Sequence, residues 1–237
     1  MPNHKKEPQL RVFFQPLAMT TEQLKHILKT GAAELGVAIG DKETSLFLIY
    51  LAELKEWNKK INLTSITEGR DIIIRHFLDS LILAPFFAGK ETLLDIGSGA
   101  GFPGIPLKLV LPDLKIMLMD SVNKKAVFMR HIIRMLGLRD IEAVQGRAED
   151  TAVIKKFGSS FDVVASRAFA ELGRFLEIAM PYAKNGGMVL AVKGPKGVEE
   201  LKRLPTIKNI ESIQAKEIKL PFSDITTTIL SFKKTMF

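Results

Sequence analysis

The chain has no cysteine among its 237 residues. That absence excludes disulfides, cysteine metal sites and thiol nucleophiles, and also iron–sulfur clusters held by thiolates. Long apolar runs are missing too. The stretch Ile72 to Ile74 is far too short to span a bilayer, so no membrane association is expected. No apolar signal segment leads the sequence, which makes the cytoplasm the expected location. Internal repeats and low-complexity segments are absent. What remains is 46% hydrophobic and 25% charged, the composition of a globular protein. The length suits one large α/β domain or one domain with an appendage. The formal net charge of +8 favours a polyanionic partner, although a merely basic protein would also carry it.

Residues 93 to 106 organise the rest. The apolar run Thr92, Leu93, Leu94 suits a buried strand, and it ends in Asp95. Gly97, Gly99 and Gly101 then alternate, so the backbone turns sharply and no side chain blocks a ligand. Pro103 and Pro106 follow, where a first helical turn tolerates proline. Such a turn is expected to point free N–H groups at a ligand. No Gly-Lys-Ser/Thr follows it, so a P-loop is excluded. Gly99, Gly101 and Gly104 satisfy the dinucleotide spacing G-x-G-x-x-G, a weak signal alone. Asp95 discriminates better. Its carboxylate would oppose a pyrophosphate and would suit the ammonium end of S-adenosylmethionine.

A second strand, Leu114 to Met119, closes on Asp120, placed to accept hydrogen bonds from both ribose hydroxyls of an adenosine. A third, Ile141 to Gln145, leads into Gly146-Arg147-Ala148-Glu149, whose acidic residue could reach an adenine edge. The fourth, Phe161 to Ala165, ends in Ser166-Arg167-Ala168. A helix from Glu171 to Tyr182, a turn at Asn185-Gly186-Gly187 and a fifth strand, Met188 to Val192, come next. Lys193-Gly194-Pro195-Lys196-Gly197 forms a basic loop at that strand's end. Ile210 to Leu220 and Thr226 to Phe232 read as a closing β pair around Pro221 and Asp224.

Upstream, residues 1–19 mix basic residues and prolines without a period, as in a flexible arm. Thr21 is expected to cap a helix running to Leu35. A second helix follows Gly40 and ends near Trp57, where Asn58 and Asn62 could serve a buried turn or touch substrate. A third begins near Thr67 and carries Arg75, His76 and Asp79. The expected domains are thus the arm, a helical cap over 20–90 and a catalytic domain over 91–237.

Several strings together resemble the bacterial glucose-inhibited division protein B family. They are Asp95 to Pro106, Asp120-Ser121 with Lys124-Lys125, Ser166-Arg167-Ala168, Trp57-Asn58 with Asn62-Leu63-Thr64, Arg75-His76 with Asp79-Ser80-Leu81, and Lys193-Gly194. The resemblance runs from about residue 45 to 195. It implies a Rossmann-like class I S-adenosylmethionine-dependent methyltransferase fold, α/β with a mostly parallel seven-stranded sheet and an N-terminal helical cap. It also implies methyl transfer to N7 of a guanine in 16S ribosomal RNA, on free RNA or the small ribosomal subunit, by a protein expected to be a monomer. Asp95, Gly97, Gly99, Gly101, Phe102, Asp120, Ser121, Ala148, Glu149 and Arg167 would border the cofactor. Arg167, Arg147 and His76 would be the catalytic group, and Lys124, Lys125, Arg147 and Lys193 would hold substrate.

The chemistry fits the gaps in the sequence. Guanine N7 presents a lone pair and no proton, so orientation suffices and no general base is needed. Without cysteine, attack on pyrimidine C5 through a thiolate is excluded, and the Asn-Pro-Pro-aromatic string for exocyclic amines is absent. Arg147 and Arg167 could fork onto phosphate or guanine O6, or simply pair with Glu149, Asp150 or Asp162. Arg167, as a strand-end residue, is expected to contribute little to the core. His76 could meet the cleft or serve as a capping histidine. The basic face after Asp120 could bind RNA or only solvent. An NAD-dependent oxidoreductase and a non-enzymatic RNA-binding module stand as alternatives.

Overall fold

Thr20 opens the architecture in the computed structural model, which describes residues 19–167, 171–205 and 208–236. The expected arm lies outside the described residues except for Met19, which packs half-buried against the core. Ala168 also lies outside them. Thr20, and not Thr21, caps helix α1 (Thr21–Glu34). Its hydroxyl accepts from Gln23 N–H at 3.3 Å while Gln23 Oε1 accepts from Thr20 N–H at 2.9 Å. The reciprocal box needs its glutamine three residues after the cap, which selects Thr20.

Helix α2 (Asp41–Asn58) starts after Gly40. At its far end Asn58 closes the turn, its Oδ1 accepting from Leu63 and Thr64 N–H and its Nδ2 donating to Thr64 O. The third helical stretch begins at Gly69. It winds as α3 (Gly69–Ile72), a π-helical stretch (Ile73–Leu78) and α4 (Asp79–Leu81). The π turn carries His76, and such turns collect at functional sites.

The sheet contains β1 (Thr92–Ile96), β2 (Lys115–Asp120), β3 (Ile141–Gln145), β4 (Phe161–Arg167), β5 (Ala183–Lys193), β6 (Ile210–Lys219) and β7 (Thr226–Lys234). Their order is β3-β2-β1-β4-β5-β7-β6, with the first five parallel and β7 antiparallel to both neighbours. This is the expected mostly parallel seven-stranded sheet. The strand order reverses between β1 and β4, so their carboxyl ends flank the crevice where ligands of such folds bind. The fifth strand is longer than expected. Asn185-Gly186-Gly187 lies inside it as an irregularity, because Phe161 to Val163 on β4 faces Ala183 to Met188 on β5.

Helices α5 (Gly104–Val110) and α6 (Asn123–Met135) cover one sheet face with the cap; α7 (Thr151–Phe157) and α8 (Leu172–Ala179) cover the other. Helix α8 is shorter than expected, leaving Met180 to Tyr182 as a turn. One apolar cluster joins Leu28, Phe47 and Phe77 of the cap to Ile105, Phe128, Val163 and Ile229 around the sheet. Phe128 is fully buried, 5.5 Å from the Trp57 ring and 6.4 Å from the Tyr50 ring, both on α2.

Phe128→Ala should destabilise the protein by about 3–5 kcal/mol. Fluorescence of Trp57, the single tryptophan, and far-ultraviolet dichroism should report one coincident urea transition. Two separated transitions would show that cap and sheet fold independently.

Candidate active site

The glycine loop leaves β1 after Ile96. Gly97, Gly99 and Gly101 have φ of 70°, 59° and 96°, a region that side chains resist, which explains the alternation. The expectation of free N–H groups fails. Gly97 and Ser98 donate to Met119 O at 2.8 and 3.1 Å, Gly101 and Phe102 both to Ser98 O at 2.8 Å. Gly99 donates to Asp120 Oδ2 and Gly104 to Asp95 Oδ2, each at 2.9 Å. The loop closes on itself and on two carboxylates, so it admits a ligand by lacking side chains rather than by donating to it.

Asp95 is fully buried beneath this loop and lines neither flanking cavity. Burial pushes its pKa up to about 7, against the hydrogen bond from Gly104. Its Oδ1 has no hydrogen-bond partner among the described residues. That orphaned acceptor fits a ligand carrying a donor or a positive charge.

Beyond Gly97 lies a cavity of about 280 Å³ bordered by Asp120, Ser121, Val122, Lys125, Arg147, Ala148 and Glu149. The structure brings together here the residues expected around an adenosine. Asp120 is buried and accepts from Gly99 and Val122 N–H. A carboxylate has roughly four lone-pair sites, so acceptor capacity remains for a ribose diol. Lys125 Nζ stands 3.8 Å from Asp120 Oδ2. Arg147 is exposed, 3.9 Å from Glu149, one of the ion pairs considered for it, and Lys124 is exposed as well.

A second cavity, of about 660 Å³, lies between the cap and the ends of β4, β5 and β7, bordered by Arg75, His76, Asp79, Arg167, Lys193 and Thr227 among others. Arg167 is not a loosely held strand end. Its Nη1 donates to Arg75 O at 2.7 Å and to Asp79 Oδ2 at 3.1 Å, and its Nη2 lies 2.9 Å from His76 Nδ1. Its charge also sits 5.1 Å from the Phe102 ring centroid. It therefore joins β4 to the cap, and its partner is Asp79 rather than Glu149, Asp150 or Asp162. Asp162 instead pairs with Lys184. Lys193, expected to hold substrate, lies 2.9 Å from Glu200 with its side chain 10% exposed.

His76 stacks on Phe102 at 4.6 Å and is hydrogen-bonded to Thr64 Oγ1 at 2.8 Å. A guanidinium can only donate, so Nδ1 accepts from Arg167 and Nε2 carries the proton toward Thr64. The 3.1 Å approach of Nδ1 to Arg75 O is then a contact between two acceptors, not a hydrogen bond. Burial, reinforced by the Arg167 charge, pushes the His76 pKa down to about 3. At neutral pH the imidazole is uncharged and fully engaged, which suits holding Arg167 better than moving protons.

Three participants escaped the sequence. Tyr50 stacks on Phe102 at 5.5 Å and hydrogen-bonds Ala100 O, bracing the loop from α2. Thr64 holds His76, and Thr227 holds Asp79. Tyr50 reads only as an apolar position of its helix. The run Thr226 to Thr228 looks like any exposed strand.

Comparison with known proteins follows this geometry. The family described as rRNA small subunit methyltransferase G matches residues 43–225. Ribosomal RNA small subunit methyltransferase G of Alkaliphilus metalliredigens is 41% identical over 215 residues, covering 89% of this chain and 90% of that protein. Its counterpart in Geotalea uraniireducens is 46% identical over 179 residues, covering 76% and 81%. Among solved structures, a predicted O-methyltransferase of Agrobacterium tumefaciens superposes with TM-score 0.55 at 18% identity, over 66% of this chain and 80% of that one. M. jannaschii TYW2 in complex with AdoMet superposes with TM-score 0.52 at 14% identity, over 67% and 75%. At such identities these structures establish the fold alone.

The two shifted groups give opposite pH dependences. Asp95 keeps its proton in the folded protein up to about pH 7 but loses it near 3.8 when unfolded, so its contribution falls as pH rises through that window. His76 takes a proton near 6.5 when unfolded but stays neutral in the fold down to about 3, so its contribution falls as pH drops. Between about pH 4 and 6.5 the two cancel. In His76→Gln, stability from urea unfolding should therefore decline with rising pH across that window, relative to the parent, by up to ~1.4 kcal/mol per unit. Parallel profiles for variant and parent would show that the His76 shift is absent.

Proposed function

We propose, for a chain that belongs to the rRNA small subunit methyltransferase G family, that the cavity beside Asp120 takes the adenosine of S-adenosylmethionine and the larger one takes a guanine of 16S ribosomal RNA, methylated at N7. As a member of that family the protein is a methyltransferase. The observation that carries the cofactor reading is the loop's internal closure. Six of its N–H groups are used within the protein, so no cradle remains for the pyrophosphate of NAD. When bound, S-adenosylmethionine supplies an electrophilic methyl group on a positively charged sulfur. The bare glycine backbone suits its methionine end, with the Asp95 carboxyl buried beneath that backbone, and Asp120, Ser121, Ala148 and Glu149 suit its adenosine.

The residues of this chain then act by orientation. N7 needs no base, and neutral His76 offers none. Arg167, fixed by Asp79, His76 and Arg75, borders the cavity that would take the guanine. Lys124 is exposed, and Arg147 is exposed at the edge of the smaller cavity, where phosphates of a polyanion can reach them. No helix of the described residues is long and apolar enough to cross a membrane, and a ribosomal RNA substrate supports a cytoplasmic location.

Small ribosomal subunits from cells lacking the gene, incubated with the protein and S-adenosylmethionine, should gain one 7-methylguanosine by nucleoside mass spectrometry. Gly97→Val, which puts a branched side chain at φ 70°, should abolish the gain and the calorimetric binding of S-adenosylmethionine. Binding of NADH instead would reverse the cofactor assignment. RNA binding without any methyl gain would leave only a binding module.

Affinity for the RNA should fall steeply with salt. Reversing Lys124 and Lys125 together to Glu should weaken binding and flatten the plot of log K against log salt by about two phosphate contacts. An unchanged slope would place the RNA elsewhere on the surface.

A further inference from the structure

N7 methylation changes the charge of the base. The N7 lone pair forms the new N–C bond as the C–S bond breaks, and that bonding pair stays on sulfur as a neutral thioether. The positive charge passes to the guanine, and no proton moves. A bare guanidinium bordering the same cavity would oppose the charge that develops, and most strongly where water is excluded.

Arg167 is not bare. Asp79 Oδ2 lies 3.1 Å from its Nη1, while Asp79 Oδ1 accepts the Thr227 hydroxyl at 2.6 Å. Asp79 is 7% exposed and Thr227 6%. The three residues come from the cap, β7 and β4 and meet at the 660 Å³ cavity. Burying a carboxylate against an arginine is costly in desolvation, and joining cap to sheet could be done by apolar side chains. Of the other charges at this cavity, Arg75 is exposed, Lys193 faces Glu200 and Asp224 faces Lys219.

Building on the methyltransferase reading above, we propose that Asp79, oriented by Thr227, is a positioning residue that holds the Arg167 guanidinium in place and offsets its charge, so that the cavity accepts a base that becomes cationic. Arg167 then contributes directional N–H donors from a pair with no net charge. Thr227 occupies one carboxylate oxygen and leaves the other to Arg167.

Methyl transfer to small ribosomal subunits tests this, with thermal unfolding of each variant measured in parallel. Asp79→Asn should lower kcat at least about tenfold while the KM for S-adenosylmethionine stays within about twofold. Adding Arg167→Gln to Asp79→Asn should recover part of that loss, because the unbalanced charge is gone. Should Asp79→Asn fail to fold, Thr227→Val decides, since it keeps the side-chain shape. It should lower kcat about threefold with little change in melting temperature, and Thr227→Ser should restore the rate. A parent-like kcat in Asp79→Asn or Thr227→Val overturns the proposal, as does a double variant slower than both single ones. A parent protein that transfers no methyl group at all refutes the methyltransferase reading itself, and this inference with it.

Discussion

Asp95, one residue before the end of β1, carries a carboxyl group that no water reaches, and it receives the Gly104 N–H at 2.9 Å. That contact fixes where the glycine loop hands over to α5. A side chain at Gly104 would overlap Leu118 and crowd Asp95, so helix, strand and carboxylate can approach only because the position is bare. Asp120 does the same work at the other end, taking Gly99 N–H. With both ends held from behind, the loop borders the smaller cavity through Gly97. Its shape is held by hydrogen bonds within the protein. Preorganisation of this kind lowers the ordering cost of binding.

The cap depends on the loop in turn. Tyr50 braces Ala100 and stacks on Phe102; His76 stacks on Phe102 from the π-helical stretch; Arg167 lies against the same ring. Phe102 is thus where the loop, the cap and β4 meet. Polar groups buried at such a junction must be satisfied or they destabilise it. Thr64, His76, Arg167, Asp79 and Thr227 meet that demand as one connected series of hydrogen bonds, with the imidazole held neutral by its surroundings.

Charge is therefore divided by depth. Outside, Lys124 and Arg147 stand exposed on a chain of net charge +8, suited to a polyanion at long range. Inside, Arg167 faces Asp79 and Lys193 faces Glu200 at the large cavity, while Arg75 at its edge is exposed. Long-range attraction and local chemistry are thereby assigned to different residues.

The order of strands, the glycine turn, Asp95, Asp120 and the carboxyl-edge crevice were legible in the sequence. Each rests on a local pattern: an apolar run closing on an acid, alternating glycines, or proline in a first helical turn. Local pattern also placed the helices, with errors of a residue or a turn at their ends, as at Thr20 of the cap and Met180 after α8. What the neighbouring chain segments supply was not legible. Whether a loop N–H is free depends on carbonyls and carboxylates from β2 and β1. Whether Arg167 is a loose strand end depends on a helix about ninety residues upstream. Thr227 gains meaning only when β7 inserts beside β5 and faces Asp79 across 148 positions of chain. Residue type and spacing determined which chemical groups the site contains. Only long-range packing decided which of them are already paired, and hence which remain available to act.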